Sequence, residues 1–169
     1  MNIDLAGKRA IVAGGSRGIG RAIALGLAEA GAGVSICARG AERLAATREE
    51  IARRGHITHS AVCDLADAAE IPRYIEAAAG ALGGVDILVN NASGFGATDD
   101  ENGWAVSVSV DLMATVRAIR TALPYLEKSG CGVILNISSI SGLRATPRTP
   151  PYAAVKAAVV NYTLTEAAA

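Results

Sequence analysis

The stretch Arg9-Ala10-Ile11-Val12-Ala13-Gly14-Gly15-Ser16-Arg17-Gly18-Ile19-Gly20 decides the fold. Its first five residues form a short, continuous run of mostly apolar side chains, which is typical of a strand buried on both faces. The glycine-rich turn follows at once and leads into a helical pattern. Glycines in that position permit a tight bend and let the backbone approach a pyrophosphate, whose charge the helix N-terminus favours. The stretch therefore predicts a dinucleotide-binding unit, although its Gly-x3-Gly-x-Gly spacing differs from the standard G-x-G-x-x-G.

The rest of the chain repeats this alternation of apolar runs and helical patterns. Further strands are predicted at residues 34–38, 57–62, 86–89 and 132–137, and helices at 19–30, 41–54, 67–82, 104–126 and from 152 to beyond 169. Gly31 and Gly55 stand at predicted helix stops, and Asp67 with Glu70 resembles a capping box. Five strands that alternate with helices predict an α/β fold, a Rossmann-like, doubly wound parallel sheet with helices on both faces. Residues 1–169 then form one domain.

Composition excludes several classes of protein. The chain has 169 residues, and its 16 basic residues balance 16 acidic ones, so neither a nucleic-acid-binding stripe nor a membrane-binding polybasic tract is expected. No run of about 18 apolar residues occurs, and the N-terminus does not have the pattern of a signal peptide, which predicts a cytoplasmic protein without a membrane span. The cysteines, odd in number and without a CxxC pair, are predicted to be buried thiols of a reducing compartment: Cys37, Cys63 and Cys131.

Metal sites are not expected either. His56 and His59 lie three residues apart near a strand start, but no third ligand is clustered with them, so we interpret both as surface histidines. The acidic run Asp99-Asp100-Glu101 is interpreted as a solvated helix start and not as a calcium site.

Four motifs in order carry a resemblance to a known family. They are the glycine turn, Asn90-Asn91-Ala92 after the fourth strand, Asn136-Ile137-Ser138-Ser139 at the fifth, and Tyr152-x3-Lys156. Together they resemble the classical short-chain dehydrogenase/reductase family over essentially the whole chain. The resemblance implies an NADP-dependent oxidoreductase that interconverts a carbonyl and a secondary alcohol by hydride transfer. It also implies a small-molecule substrate and a homodimer or homotetramer. Ser93 replaces the glycine that usually completes the second motif, with Gly94 next to it.

The catalytic candidates follow from the last two motifs. Tyr152 and Lys156 stand at i and i+4, on one face of a predicted helix. An ammonium about 5 Å from a phenolate stabilises it by about 3 kcal/mol at an effective dielectric of 20. By resemblance, Tyr152 exchanges a proton with the substrate oxygen, Lys156 supports it and holds the nicotinamide ribose, and Ser139 hydrogen-bonds the carbonyl. Ser138 is then structural. The alternative is a tyrosine that caps the helix and a lysine on the surface.

Asp111 departs from the family pattern. The family often has an asparagine there, which completes a catalytic tetrad through a water molecule. A carboxylate would stabilise Lys156 as a cation and partly cancel its effect on Tyr152. We retain Asp111 as a candidate catalytic residue.

Cofactor preference can be argued from the end of the second strand. An NAD-binding unit has an Asp or Glu there to accept from the ribose 2′-OH, but this chain has Cys37-Ala38-Arg39. A guanidinium matches a phosphate bidentately, so Arg39 with Arg17 favours NADP over NAD. By resemblance Asp64 would meet the adenine edge, or it would cap the following helix, and Asn90 would line the other ribose. The predicted cofactor-binding residues are Gly14, Ser16, Arg17, Gly18, Ile19, Gly20, Arg39, Asp64, Leu65, Asn91, Ala92, Tyr152 and Lys156.

The C-terminal part of the pattern is incomplete. The six-strand plan needs one more strand than is predicted, and residues 166–169 carry no helix stop signal. We therefore expect a domain that lacks its C-terminal strands and substrate loop. The apolar helix from Tyr152 is expected to be buried by the sheet on one side and a second subunit on the other. The alternatives are a non-catalytic dinucleotide-binding module or inactive fragment, and a sugar-nucleotide epimerase, which the glycine spacing and Ser-Ser pair disfavour.

Overall fold

The computed structural model describes residues 3–168 and contains one parallel sheet in this part of the chain. Its five strands are β1 (Arg9–Ala13), β2 (Gly33–Ala38), β3 (Thr58–Val62), β4 (Ile87–Asn90) and β5 (Val133–Asn136). All neighbouring strands pair in parallel, in the order β3-β2-β1-β4-β5. The predicted Rossmann-like sheet is therefore confirmed. The strand order reverses between β1 and β4, and ligands of such sheets bind beside this switch point.

The helices connect the strands as the alternating pattern predicted. They are α1 (Gly18–Glu29), α2 (Ala41–Ala52), α3 (Glu70–Leu82), α4 (Glu101–Val106), α5 (Ala114–Ser129) and α6 (Pro150–Glu166). A π-helical segment (Ser107–Met113) joins α4 to α5, and a short 3₁₀ turn (Ile140–Gly142) follows β5. Gly31 and Gly55 adopt positive φ just beyond α1 and α2, where the stops were predicted. None of the helices within residues 3–168 is long and apolar enough to cross a membrane.

The core lies on both faces of the sheet. Central strand β1 contributes Ala10, Ile11 and Val12, which are completely buried. One face packs against small and branched side chains of α1 and α2, and the other against α3 and α5. Burial on both faces explains why these strands appear in the sequence as continuous apolar runs. It also holds the carboxyl ends of the strands rigidly side by side.

Two helix predictions need correction. The single helix predicted over 104–126 is instead three successive segments: α4, a π-helical segment and α5. The wider π turn changes which side chains face inward. The predicted capping box at Asp67 is wrong: α3 begins at Glu70, whose carboxylate accepts a hydrogen bond from the amide of Asp64, 2.6 Å away. Asp67 instead accepts from the amide of Ala69, within the turn before the helix.

Several burial predictions also change. Cys37 and Cys63 are buried as expected, but Cys131 is exposed, and its sulfur accepts a hydrogen bond from Lys8 Nζ. His59 is half-buried, because its ring lies against Tyr74 and its Nδ1 is 2.9 Å from Ser35 Oγ. Burial lowers the pKa of His59. The acidic run is a helix start, since Asp100 Oδ1 accepts from the amide of Gly103 and caps α4.

Helix α6 is buried along one face only. It ends at Glu166, before Ala169, which lies outside the described residues. Pro151, Val155, Lys156 and Val159 are buried, whereas Leu164 is 66% exposed. The face that packs on the rest of the chain is buried as expected, and burial of the other face by a second subunit stays a prediction. Strand β5, at the edge of the sheet, exposes about half of Val133 and Leu135.

Candidate functional site

A cavity of about 760 Å³ lies at the carboxyl edge of the sheet, beside the switch point between β1 and β4. Its wall is formed by the glycine turn after β1, the ends of β2 and β3, the loop after β4 and the π-helical segment. Most of the predicted cofactor residues line it: Gly14, Ser16, Arg17, Gly18, Ile19, Arg39, Asp64, Leu65, Asn91 and Ala92. Gly20, Tyr152 and Lys156 are not part of this lining.

The glycine turn has the shape that a dinucleotide phosphate requires. Gly18 has φ +54° and nothing within 4 Å of where a Cβ would stand, so its bare backbone faces open space. No side chain caps the start of α1, and its first turn carries no acidic residue. The free amides and dipole of that helix end suit a pyrophosphate. The residues present therefore fit the dinucleotide that the fold implies.

Other glycines of the turn serve packing. Gly14 has φ +80°, and a Cβ there would lie 2.9 Å from the Cα of Ala92. At Gly20 a Cβ would collide with the Gly14 carbonyl and the Asn91 side chain. Asn91 Nδ2 donates to that carbonyl at 3.0 Å and ties the turn to the loop after β4. Gly20 thus permits close packing below the cavity.

Cations gather where the end of β2 meets the cavity. Arg17 and Arg39 both line it, as the sequence predicted, and both are exposed. Arg43, in the first turn of α2, lines it too and was missed. The sequence signal that could have identified Arg43 is that it is a basic residue four positions after Arg39. Asp64 also lines the cavity, and it does not cap α3, since its Oδ1 accepts from the amide of Ala66.

Tyr152 and Lys156 lie one turn apart near the start of α6. The Lys156 Nζ is 5.6 Å from the centre of the Tyr152 ring and donates a hydrogen bond to the Ile137 carbonyl at 2.9 Å. Lys156 is only 3% exposed, so the alternative interpretation as a surface lysine is wrong. A buried ammonium beside a phenol can stabilise the phenolate form.

The loop after β5 packs directly on this part of α6. Ser138 Oγ donates a hydrogen bond to the Lys156 carbonyl at 2.9 Å. This side-chain contact ties the loop after β5 to the backbone of α6. Ser139 precedes the 3₁₀ turn, and its Oγ accepts from the amide of Ser141 at 3.2 Å. A Cβ on Gly142 would lie 2.6 Å from the Lys156 carbonyl carbon, so the turn sits closely against the helix. The fold thus places Ser139 in the loop that contacts the Tyr152 helix.

Asp111 reaches Lys156 from the π-helical segment. It is 1% exposed, and its Oδ2 accepts a hydrogen bond from the Gly94 amide at 3.0 Å. Its Oδ1 lies 3.3 Å from Lys156 Nζ but makes no hydrogen bond. The carboxylate therefore forms a buried ion pair with the lysine and also holds the loop after β4.

Asn90 does not line the cavity, contrary to the sequence interpretation. It is buried, and its Nδ2 donates to Asn136 Oδ1 at 2.8 Å. Asn136 in turn donates to Thr163 Oγ1 at 2.9 Å. These hydrogen bonds join β4, β5 and α6. They also satisfy polar side chains at the strand ends that are shielded from water.

Phe95 is a residue of the site that the sequence analysis missed. It follows the Asn-Asn-Ala motif, and its ring meets the Tyr152 ring edge-on, with 4.9 Å between centroids. No spacing or composition signal in the sequence pointed to it.

Within residues 3–168 no group of three or more His, Cys, Asp or Glu side chains is arranged to hold a metal.

Comparisons with known proteins agree with this geometry. The sequence model of the short chain dehydrogenase family matches residues 8–169. The chain is 40% identical over 161 residues to a protein assigned as granaticin polyketide synthase ketoacyl reductase 1 of Streptomyces violaceoruber, and covers 59% of its length. It is 36% identical over 164 residues to a 3-oxoacyl-[acyl-carrier-protein] reductase of Staphylococcus aureus, with 92% of this chain and 65% of the reductase covered.

Two crystal structures superpose closely on the model. One is a protein of Sinorhizobium meliloti 1021 assigned as a short-chain alcohol dehydrogenase, 38% identical, and the other is a levodione reductase, 26% identical. Each has a TM-score of 0.91 and is matched over 96% of this chain and 66% of its own. The chain thus spans about three fifths to two thirds of the length of these proteins.

Proposed function

Because this chain belongs to the short-chain dehydrogenase family, we propose that the natural protein interconverts a carbonyl and a secondary alcohol with NADP as cofactor. The observation that carries the proposal is the buried Lys156 beside Tyr152, on a helix against which the Ser139 loop packs. An ammonium is expensive to bury and is retained where it has a function or a fixed partner.

Each side chain has a distinct role in the proposed reaction. When bound, the nicotinamide supplies or accepts the hydride. Tyr152 gives a proton to the carbonyl oxygen during reduction and takes it back during oxidation. Ser139 donates a hydrogen bond to the same oxygen and orients the substrate. Lys156 stabilises the tyrosinate and provides donors for the nicotinamide ribose, while the Ile137 carbonyl fixes its position.

Asp111 acts on this group through the lysine. Its carboxylate lies 3.3 Å from Lys156 Nζ and at the same time accepts the hydrogen bond from Gly94. We therefore assign Asp111 a positioning role in place of the asparagine that is usual in the family. The ion pair takes up part of the lysine charge that would otherwise act on Tyr152.

NADP is favoured over NAD by the charges at the end of β2. Arg17, Arg39 and Arg43 all line the cavity. Three guanidinium groups suit a 2′-phosphate, whereas an acid that would bind a 2′-OH is missing from the end of that strand. The names of the two curated relatives support reduction of a carbonyl as the direction to test first. A homodimer or homotetramer in the cytoplasm completes the proposal.

Tyr152→Phe in the natural full-length protein tests the proposed acid. General acid–base groups contribute about 10²–10⁴ in rate, so turnover of a ketone with NADPH should fall at least a hundredfold. The affinity for NADPH should stay within about threefold, because only the hydroxyl is lost. Tyr162→Phe, on the same helix, is the matched control and should keep full turnover. If the Tyr152 variant retained more than a tenth of wild-type turnover, this residue would not be the acid.

A non-catalytic dinucleotide-binding module is the second candidate. The observation in its favour is the direct ion pair between Asp111 and Lys156, which draws the lysine away from catalysis. It predicts tight NADPH binding with no reduction of any ketone by the natural protein. Asp111→Asn would then be expected to bring out activity.

A further inference from the structure

We propose that Phe95 determines substrate specificity: its ring forms an apolar wall beside Tyr152 and selects ketones that carry an apolar ring next to the carbonyl. The inference rests on the proposed function, since it names the substrate class of that same site. It comes from the conformation, packing and exposure of the loop after β4.

The backbone of Phe95 is strained. Its φ is +51°, and it is the one non-glycine residue with positive φ within residues 3–168. A bulky side chain in this left-handed region is a genuine outlier, and such strain persists only where the surroundings impose it. Strained residues of this kind cluster at ligand-binding and active sites.

The two glycines on either side of Phe95 are tightly packed. A Cβ on Gly94 would lie 2.5 Å from Val106 Cγ1, and one on Gly96 would collide with the Gly103 carbonyl. The Gly94 amide is bound by Asp111, so the loop is fixed both to α4 and to the group around Lys156. Phe95 therefore has little freedom to leave its position.

The ring itself covers Tyr152 but is not buried. It meets the Tyr152 ring at 64° with 4.9 Å between centroids, and Phe95 is 58% exposed. A phenylalanine that served only the core would hide its area from water, because burial of such a side chain is stabilising. The exposed part of the ring is thus available to a ligand whose reacting oxygen lies at the Tyr152 hydroxyl.

Two further exposed apolar side chains follow Ser139 in the sequence. Ile140 and Leu143 belong to the turn just after Ser139 and are 59% and 68% exposed. That turn packs against the backbone of Lys156. The loop after β5 thus exposes apolar side chains in the segment that begins at Ser139, as the loop after β4 does at Phe95. A substrate with an apolar ring on the carbonyl matches them better than a small polar ketone does.

Acetophenone and acetone provide the test, because both are methyl ketones and differ in the second substituent. Reduction of each with NADPH by the full-length protein yields the ratio of their kcat/KM values. Phe95→Ala should lower that ratio at least tenfold, the size of effect that a lost apolar contact has in a binding pocket. Phe95→Leu, which remains apolar, should keep the ratio within about threefold. The matched control is Ile57→Ala, an exposed apolar residue before β3, and it should change nothing.

Each outcome has a defined meaning. If wild type reduces both ketones and Phe95→Ala leaves the ratio unchanged, the specificity role is wrong while the proposed function stands. If wild type reduces neither ketone with NADPH, substrate binding replaces turnover as the measurement. Acetophenone affinity, measured by calorimetry with NADPH present, then decides the role of Phe95: weaker binding to the alanine variant supports it, and equal or absent binding overturns it.

Discussion

The buried ion pair between Asp111 and Lys156 allows a quantitative prediction. Their charged atoms are 3.3 Å apart, and the side chains are 0% and 4% exposed. At an effective dielectric of 20, two unit charges at that distance attract each other by about 5 kcal/mol. Desolvation offsets part of this attraction in the intact protein, but removal of one partner leaves the other charge buried alone. That loss typically costs about 3–5 kcal/mol.

A double-mutant cycle isolates the pair. Asp111→Asn keeps an acceptor for the Gly94 amide and removes only the charge, so it should lower the free energy of unfolding by about 3–5 kcal/mol. In a Lys156→Met background the same change removes an unpaired buried carboxylate, so it should be neutral or stabilising. The coupling energy is measured by urea unfolding of the four proteins at pH 7.

A further variant separates the loop contact from the charge. Asp111→Ala loses both the ion pair and the acceptor for Gly94, and should cost about 1–3 kcal/mol more than Asp111→Asn. If Asp111→Asn had the same effect in both backgrounds within about 0.5 kcal/mol, the two charges would not interact, and the positioning role of Asp111 would be refuted.

Three further changes test other parts of the structure. Arg39→Ala should weaken NADPH binding at least tenfold and leave NADH nearly unchanged in a fluorescence titration, because hydrogen bonds between charged groups contribute about 1.5–3 kcal/mol; equal losses would contradict the 2′-phosphate site. The hydrogen-bonding guanidinium of Arg9 lowers the pKa of Asp86, so the stability from this pair is present above the unfolded pKa of about 3.9 and is lost as pH falls through the folded pKa. Asp86→Asn should therefore destabilise more at pH 7 than at pH 3 in urea unfolding, and the reverse order would be inconsistent with the ion pair. Phe95→Gly should be more stable than Phe95→Ala by roughly 1 kcal/mol in thermal unfolding, since only glycine adopts positive φ freely; equal midpoints would show that the loop is not strained.

The sheet and the residues that line the cavity at its carboxyl edge were predictable because their signals are local. Each strand appears in the sequence as its own apolar run, and the glycine turn directly follows β1. The parallel order follows from the alternation of strands and helices, as crossover connections permit few other arrangements. Arg17 and Arg39 could be placed at the cavity for the same reason, since Arg17 lies within the glycine turn and Arg39 directly follows a predicted strand.

The contacts around Lys156 could not be predicted in this way. The π-helical segment turns Asp111 inward, and no period in the sequence reveals such a segment. Asn90 was expected at the cofactor, but the fold gives it a partner on β5. Phe95 meets Tyr152 only because the loop after β4 and helix α6, which are far apart in sequence, come together.

By itself, then, the sequence determined the strands, the glycine turn and the presence of Ser139, Tyr152 and Lys156, because apolar runs, glycine turns and spacing are properties of neighbouring residues. Only the tertiary structure decided that Lys156 is buried against Asp111 and that Phe95 lies strained and exposed on Tyr152. Burial and pairing depend on which distant segments occupy the same volume, and packing selects these from many arrangements that the local pattern permits.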